Sequence, residues 1–240
     1  MELHKFGKGG TLSTAKTRGR SRMKELVIFD LDGTLINSID DLADSTNYAL
    51  AQCGLPTHSV EEYKYFVGNG VDMQILRSLP EEEKENQSLF QRVKQIYLER
   101  YESHSKDKTC PYPGIMQLLQ QCNAAGVKIA VVSNKPHDIT AEVVRHYFPQ
   151  IRFAATIGQK DGIPKKPDPA GVREVLRLTG VCPQQALYVG DTWVDIQTAQ
   201  NSNLTSCGVL WGFRTRQELE ENHADYIVER PDQLAEIILK

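Results

Sequence analysis

The stretch Leu26-Val27-Ile28-Phe29-Asp30-Leu31-Asp32-Gly33-Thr34-Leu35 decides the reading of this chain. Four apolar, β-prone residues run into two carboxylates two positions apart and then a glycine turn. Like charges that close repel and raise each other's pKa. A hard divalent cation with oxygen ligands would relieve that repulsion. The same residues fit a solvated turn, since Asp and Gly both favour turns. A calcium loop does not fit, because the positions for its Gly and terminal Glu hold Leu35 and Asp41.

Working outward, five more short apolar runs recur: Val127–Val132, Phe153–Ile157, Ala186–Val189, Thr205–Leu210 and Tyr226–Val228. Helical patterns over Ile115–Ala125, Ile139–Phe148, Ala170–Thr179, Val194–Asn201 and Gln233–Leu239 alternate with them. That alternation predicts an α/β fold, a doubly wound parallel sheet covered by helices on both faces. Residues 39–108 read instead as helices: Asp40–Cys53, Val60–Phe66, Val71–Leu79 and Glu81–His104. The block is too long for a crossover. It predicts an inserted α-helical cap domain at 39–108, with the core at 23–38 and 109–240.

Four strand ends carry polar residues: Asp30 and Asp32; Ser133-Asn134-Lys135; Lys165-Lys166-Pro167; and Gly190-Asp191-Thr192-Trp193-Val194-Asp195. In a parallel sheet they converge on one edge, where ligands bind. A carboxylate there can attack phosphorus, and a second can move the leaving-group proton. Donors and cations hold the transferring phosphoryl charge.

DxDGT, a strand ending in Ser, Lys-Pro and then GDxxxD, in that order, resemble the haloacid dehalogenase superfamily over nearly all of the chain after Met23. The resemblance implies a Rossmann-like core and a C1-type cap. It implies Asp30 as nucleophile and Asp32 as general acid/base, the latter also offering a backbone carbonyl to the metal. Ser133 and Asn134 would bind phosphate. Lys166, with Lys165 as its adjacent alternative, would be the motif lysine, and Asp191 a carboxylate ligand of Mg²⁺. Thr34 would support the site; Asp195 would reach the metal through water or orient the lysine. Dehalogenases of the superfamily lack the second Asp, so Asp32 favours a phosphatase or phosphomutase.

Phe66-Val67-Gly68-Asn69-Gly70-Val71 resembles the cap segment of phosphoglycolate phosphatases. Asn69 and Gly70 are therefore candidate substrate contacts, although Gly and Asn also serve as ordinary helix ends. Arg77 is a candidate carboxylate ligand or a salt-bridged surface group. Trp211-Gly212-Phe213-Arg214 resembles a loop near the site mouth and reads otherwise as structural.

The expected function is hydrolysis of a small phosphorylated metabolite, 2-phosphoglycolate foremost, through an aspartyl-phosphate. A sugar phosphomutase, a pyrophosphatase and a nucleotidase share the core motifs. A phosphoacceptor signalling module and an inert scaffold are the non-enzyme rivals.

Composition narrows the classes further. With 40% hydrophobic and 25% charged residues, the chain reads as globular. The formal charge of -3 hides a basic extension over residues 1–22, read as disordered, with Lys5, Lys8, Lys16, Arg18, Arg20 and Arg22 against Glu2. The rest holds 22 basic and 30 acidic residues, a net of -8, which predicts no nucleic-acid partner. Five scattered cysteines without CxxC pairs suit a reducing cytoplasm. No apolar run is long enough for a membrane span. A monomer and a homodimer are equally compatible with the sequence.

Overall fold

The computed structural model describes residues 23–240. The basic extension lies outside them. The chain opens with β1 (Leu26–Phe29) and β2 (Ile36–Asn37), then α1 (Ile39–Gln52), α2 (Val60–Phe66), α3 (Val71–Ser78) and α4 (Gln87–His104). It returns through β3 (Cys110–Pro111), α5 (Ile115–Ala124), β4 (Lys128–Pro136), α6 (His137–Tyr147), β5 (Phe153–Gln159) and α7 (Ala170–Thr179). It closes with β6 (Ala186–Gly190), α8 (Trp193–Asn201), β7 (Thr205–Val209), α9 (Arg216–Glu221), β8 (Tyr226–Val228) and α10 (Pro231–Leu239).

Six strands form one parallel sheet in the order β5-β4-β1-β6-β7-β8. The chain winds outward from β1 to β4 and β5, then crosses back to β6, β7 and β8. The doubly wound fold expected from the alternating pattern is therefore present. The order reverses at β1, so a crevice opens at the carboxyl ends of β1, β4 and β6. All four β1 side chains are fully buried. Their two-residue period sends Val27 and Phe29 to the α5, α6 and α10 face, and Leu26 and Ile28 to the α7 and α8 face.

Helices α1–α4 build a separate apolar cluster around Leu50, Tyr63, Ile75, Val93, Tyr97 and Tyr101. Val93, Tyr97 and Tyr101 recur every four residues, one stripe of α4. Two devices join the ends of this block. Ile36–Asn37 pairs antiparallel with Cys110–Pro111. The buried Asp41 carboxylate accepts from Lys108 N (2.9 Å), Thr109 N (2.8 Å) and Thr109 Oγ1 (2.6 Å).

Some boundaries differ from the sequence expectation. Glu81–His104 is not one helix: a 3₁₀ turn covers Glu81–Glu83, and α4 begins after Asn86, whose side chain accepts from Leu89 N at 3.1 Å. That cap gives the helix a fresh start. The β2–β3 ribbon was not read from sequence, being too short to show a period. Strand β4 runs past Val132 to Pro136, carrying Ser133, Asn134 and Lys135 with it.

Candidate active site

The site grows from the turn after β1. Asp30 N donates to Val189 O at 2.9 Å, which fixes its backbone beside β6. Its Oδ1 accepts from Leu31 N at 2.7 Å. Gly33 turns the chain with φ +84°, and its N–H donates to Ile36 O at 2.9 Å.

From the neighbouring strand ends come Asp191 and Asp195. Asp191 accepts from Thr34 Oγ1 (3.1 Å) and from Phe213 N (2.8 Å). Asp195 caps the start of α8, accepting from Thr192 N (3.1 Å) and Thr192 Oγ1 (2.8 Å). Lys166 reaches between the acids, 2.9 Å from Asp30 Oδ1 and 2.8 Å from Asp195 Oδ1. Of the two sequence options for Asp195, the structure shows contact with the lysine. Lys166 is buried in these ion pairs, while Lys165 is exposed.

Carboxylate oxygens of Asp30, Asp191 and Asp195 lie within 4.8 Å of one another. Burial pushes the Asp30 carboxyl up to about 7, opposed by Lys166. Burial, then Asp195 and Asp30, holds Asp191 well above the usual carboxylate range. Burial works against the Lys166 ammonium, but Asp195 and Asp30 outweigh it and raise its pKa. One lysine does not balance three buried acids, so Asp30 and Asp191 are both pushed toward their protonated forms. An all-oxygen donor set of this kind fits a hard metal ion.

Asp32 stands apart from that cluster. Its carboxylate accepts from Ser38 Oγ at 2.5 Å and from Lys135 Nζ at 2.9 and 3.2 Å. Lys135 also donates to the Tyr101 hydroxyl from α4. Asp30, Asp32 and Ser133 line a common cavity of about 40 Å³, together with Gly70 and Lys135.

Other candidates fall differently. The Asn134 side chain is committed to backbone: Nδ2 donates to Gly68 O and Lys166 O, both at 3.1 Å, and Oδ1 accepts from Lys166 N at 2.8 Å. It ties the helical block to the lysine loop. Its side chain is therefore an anchor here. Asn69 does not line the cavity, although its neighbours Gly68 and Gly70 do; its Oδ1 accepts from Arg77 Nη1 at 3.2 Å. Arg77 also donates to Tyr65 O and Phe66 O, so it closes the end of α2 rather than facing the cavity.

Sequence reasoning gave no role to Lys135, Ser38, Tyr101 or Gln74, and left Phe213 open between a loop at the site mouth and a structural residue. Phe213 and Gln74 line the cavity. Lys135 was visible in the Ser133-Asn134-Lys135 run but had no partner until the fold brought Asp32 and Tyr101 to it. Trp211 Nε1 donates to Thr34 O at 2.9 Å, and Arg214 Nη2 to Val67 O at 3.1 Å. The Trp211–Arg214 loop thus braces the β1 turn and the end of α2.

The family model described as haloacid dehalogenase-like hydrolase matches residues 27–209. A phosphoglycolate phosphatase of Psychrobacter arcticus is 32% identical over 82% of this chain and 88% of its own. One from Mannheimia succiniciproducens is 32% identical over 89% and 98%. A solved structure from Lactobacillus delbrueckii subsp. bulgaricus, whose assignment as a phosphoglycolate phosphatase is itself provisional, superposes with a TM-score of 0.86 at 34% identity, covering 91% of this chain and 99% of its own. With this fold and these motifs, the chain belongs to the haloacid dehalogenase-like hydrolases. Within that family it is an enzyme of the phosphoric monoester hydrolase class. Among the described residues no helix is long and apolar enough to cross a membrane.

Proposed function

We propose that the protein is a Mg²⁺-dependent phosphatase of small phosphomonoesters, with 2-phosphoglycolate as its leading substrate. The observation that carries this reading is the placement of Asp30, which is paired with Lys166, grouped with Asp191 and open to a cavity shared with Asp32 and Ser133. The names of the relatives support the choice of substrate.

A carboxylate oxygen of Asp30 attacks phosphorus. The ester P–O bond breaks, its electron pair goes to the leaving oxygen, and Asp32 delivers the proton. Asp32 then takes a proton from water as the water oxygen attacks the aspartyl-phosphate. The Asp30–phosphorus bond breaks, and phosphate leaves. Ser133 and the Asn134 backbone amide bind phosphoryl oxygens, and Lys166 offsets their charge. Asp30, Asp191 and the Asp32 carbonyl would hold Mg²⁺, which when bound supplies further neutralisation of the phosphoryl group. Asp195 positions Lys166. Residues 39–108 act as the cap that keeps water from the reacting centre. The substrate is a small cytoplasmic metabolite; nucleic acid and membrane are not partners.

Phosphate release from 2-phosphoglycolate, with Mg²⁺ and with EDTA, beside sugar phosphates, nucleotides and pyrophosphate, tests this reading. Mg²⁺-dependent preference for phosphoglycolate is the expected result, abolished in Asp30→Asn. Substantial turnover by that variant would overturn the mechanism. Preference for another panel member would overturn the substrate alone.

A further inference from the structure

We propose that Lys135 determines specificity in this site: its ammonium binds a carboxylate carried by the leaving group. The inference rests on the phosphatase reading and names the substrate class as short phosphorylated hydroxy acids.

Lys135 is the only cationic side chain lining the cavity among the described residues. Apart from Asp30, Asp32 and Ser133, the wall is largely apolar, with Leu42, Val67, Val71, Tyr97, Pro136 and Phe213; its neutral polar side chains are Gln74 and Asn134, and Asn134 is tied to Gly68 and Lys166 backbone. Gln74 already donates Nε2 to Thr46 Oγ1 at 2.8 Å. A sugar leaving group would need several convergent donors and acceptors, and this wall has few. A carboxylate needs one well-placed cation in dry surroundings. The cavity is small, about 40 Å³, which favours a short leaving group over a bulky one.

The position is also right. In the proposed reaction the leaving oxygen takes its proton from Asp32. Lys135 Nζ lies 2.9 Å from Asp32 Oδ1. A carboxylate on the carbon next to that oxygen therefore meets the ammonium. The side chain is held from the other side by the Tyr101 hydroxyl and ring, the ring centroid being 4.6 Å from Nζ. Tyr97 stacks on Tyr101 at 5.3 Å, so the cavity wall and the lysine's support are one aromatic unit of α4.

The test measures kcat/KM for 2-phosphoglycolate and for its neutral amide, 2-phosphoglycolamide, in the wild type, Lys135→Met, Lys135→Arg and Lys165→Met. Lys165 is included because its Nζ lies near Gly70 at the cavity rim. The wild type should prefer the acid by about 10–100-fold, the range of a charge-assisted hydrogen bond. Lys135→Met should erase that preference, mainly through KM for the acid, and Lys135→Arg should keep part of it. Equal wild-type rates on both esters would overturn the inference without any variant, and would leave the phosphatase reading intact. An equal loss on both esters in Lys135→Met would also overturn it and reduce Lys135 to a support for Asp32. Collapse of the preference in Lys165→Met instead would move the role to that residue. No phosphate from either ester would overturn the phosphatase reading and this inference together.

Discussion

A β-carbon on Gly33 would lie 2.4 Å from Oδ2 of Asp191, so the turn after β1 and the acid after β6 share one space. Phe213 N holds that same oxygen at 2.8 Å. The acid cannot retreat without losing this bond. The glycine is required twice over, for room and for its left-handed backbone at φ +84°.

Gly33→Ala should therefore both destabilise the fold and displace Asp191. Left-handed backbone alone costs a non-glycine residue about 1–2 kcal/mol. We expect a lower melting temperature and a loss of most Mg²⁺ stabilisation, read by titrating Mg²⁺ against thermal unfolding. Wild-type Mg²⁺ response in this variant would show that Asp191 does not depend on the turn.

Asp195→Ala leaves the buried Lys166 ammonium with Asp30 alone. Removing one partner of a buried pair typically costs about 3–5 kcal/mol. Urea unfolding should show a loss of that order, and Asp195→Asn should lose less because it keeps an acceptor for Thr192. A loss below about 1 kcal/mol would mean that the contact behaves like a surface ion pair.

The pH response of metal-stripped protein follows from Asp30. Its carboxyl is raised to about 7 in the fold, chiefly by burial. The folded state then binds this proton more tightly than the unfolded chain does. Its contribution to stability is complete below about pH 4, the unfolded carboxyl value. It is lost as pH rises through 7. Asp191 shifts in the same direction. After EDTA treatment, the melting temperature should fall between pH 5 and pH 8. Added Mg²⁺ should raise it more at pH 8, where Asp30 is largely ionised. An equal Mg²⁺ effect at both values would contradict the assignment of these acids to the metal.

Asp41→Ala removes the acceptor for two backbone amides and one hydroxyl where α1 and the returning strand meet. Unpaired buried donors cost roughly 1–3 kcal/mol each, and the exposure of Lys108 moderates the sum. We expect a loss of about 2–4 kcal/mol and faster proteolysis near residues 105–110. Unchanged stability and cleavage would assign the junction to the β2–β3 ribbon alone.

Much of the molecule was legible in the chain. β1 and β8 match their apolar runs to the residue: β1 because a strand buried on both faces is short, apolar and bounded by polar turns, β8 as a short apolar edge strand with Val228 buried and Tyr226 exposed. The four polar strand ends stood out because acids, Ser and Lys are abnormal directly after such runs. Glu81–His104 misled, since an acidic, helix-prone run hides the break that the Asn86 cap makes. The roles of Asn69 and Asn134 were hard to read for a different reason. An amide pairs equally well with a ligand or with backbone, and only its neighbours decide which.

The sequence by itself determined the sheet class, the helical insertion and the acids at the strand ends, all of them local patterns of hydrophobicity and charge. Tertiary structure alone decided the pairings. Lys166 stands between Asp30 and Asp195, and Lys135 stands between Asp32 and Tyr101, contacts that span 29 to 136 residues of chain. Whether a buried lysine pairs with one acid or another depends on distances of a few ångströms in a dry interior, where each charge interaction is strong and short-ranged packing sets who is near. No local pattern encodes that choice.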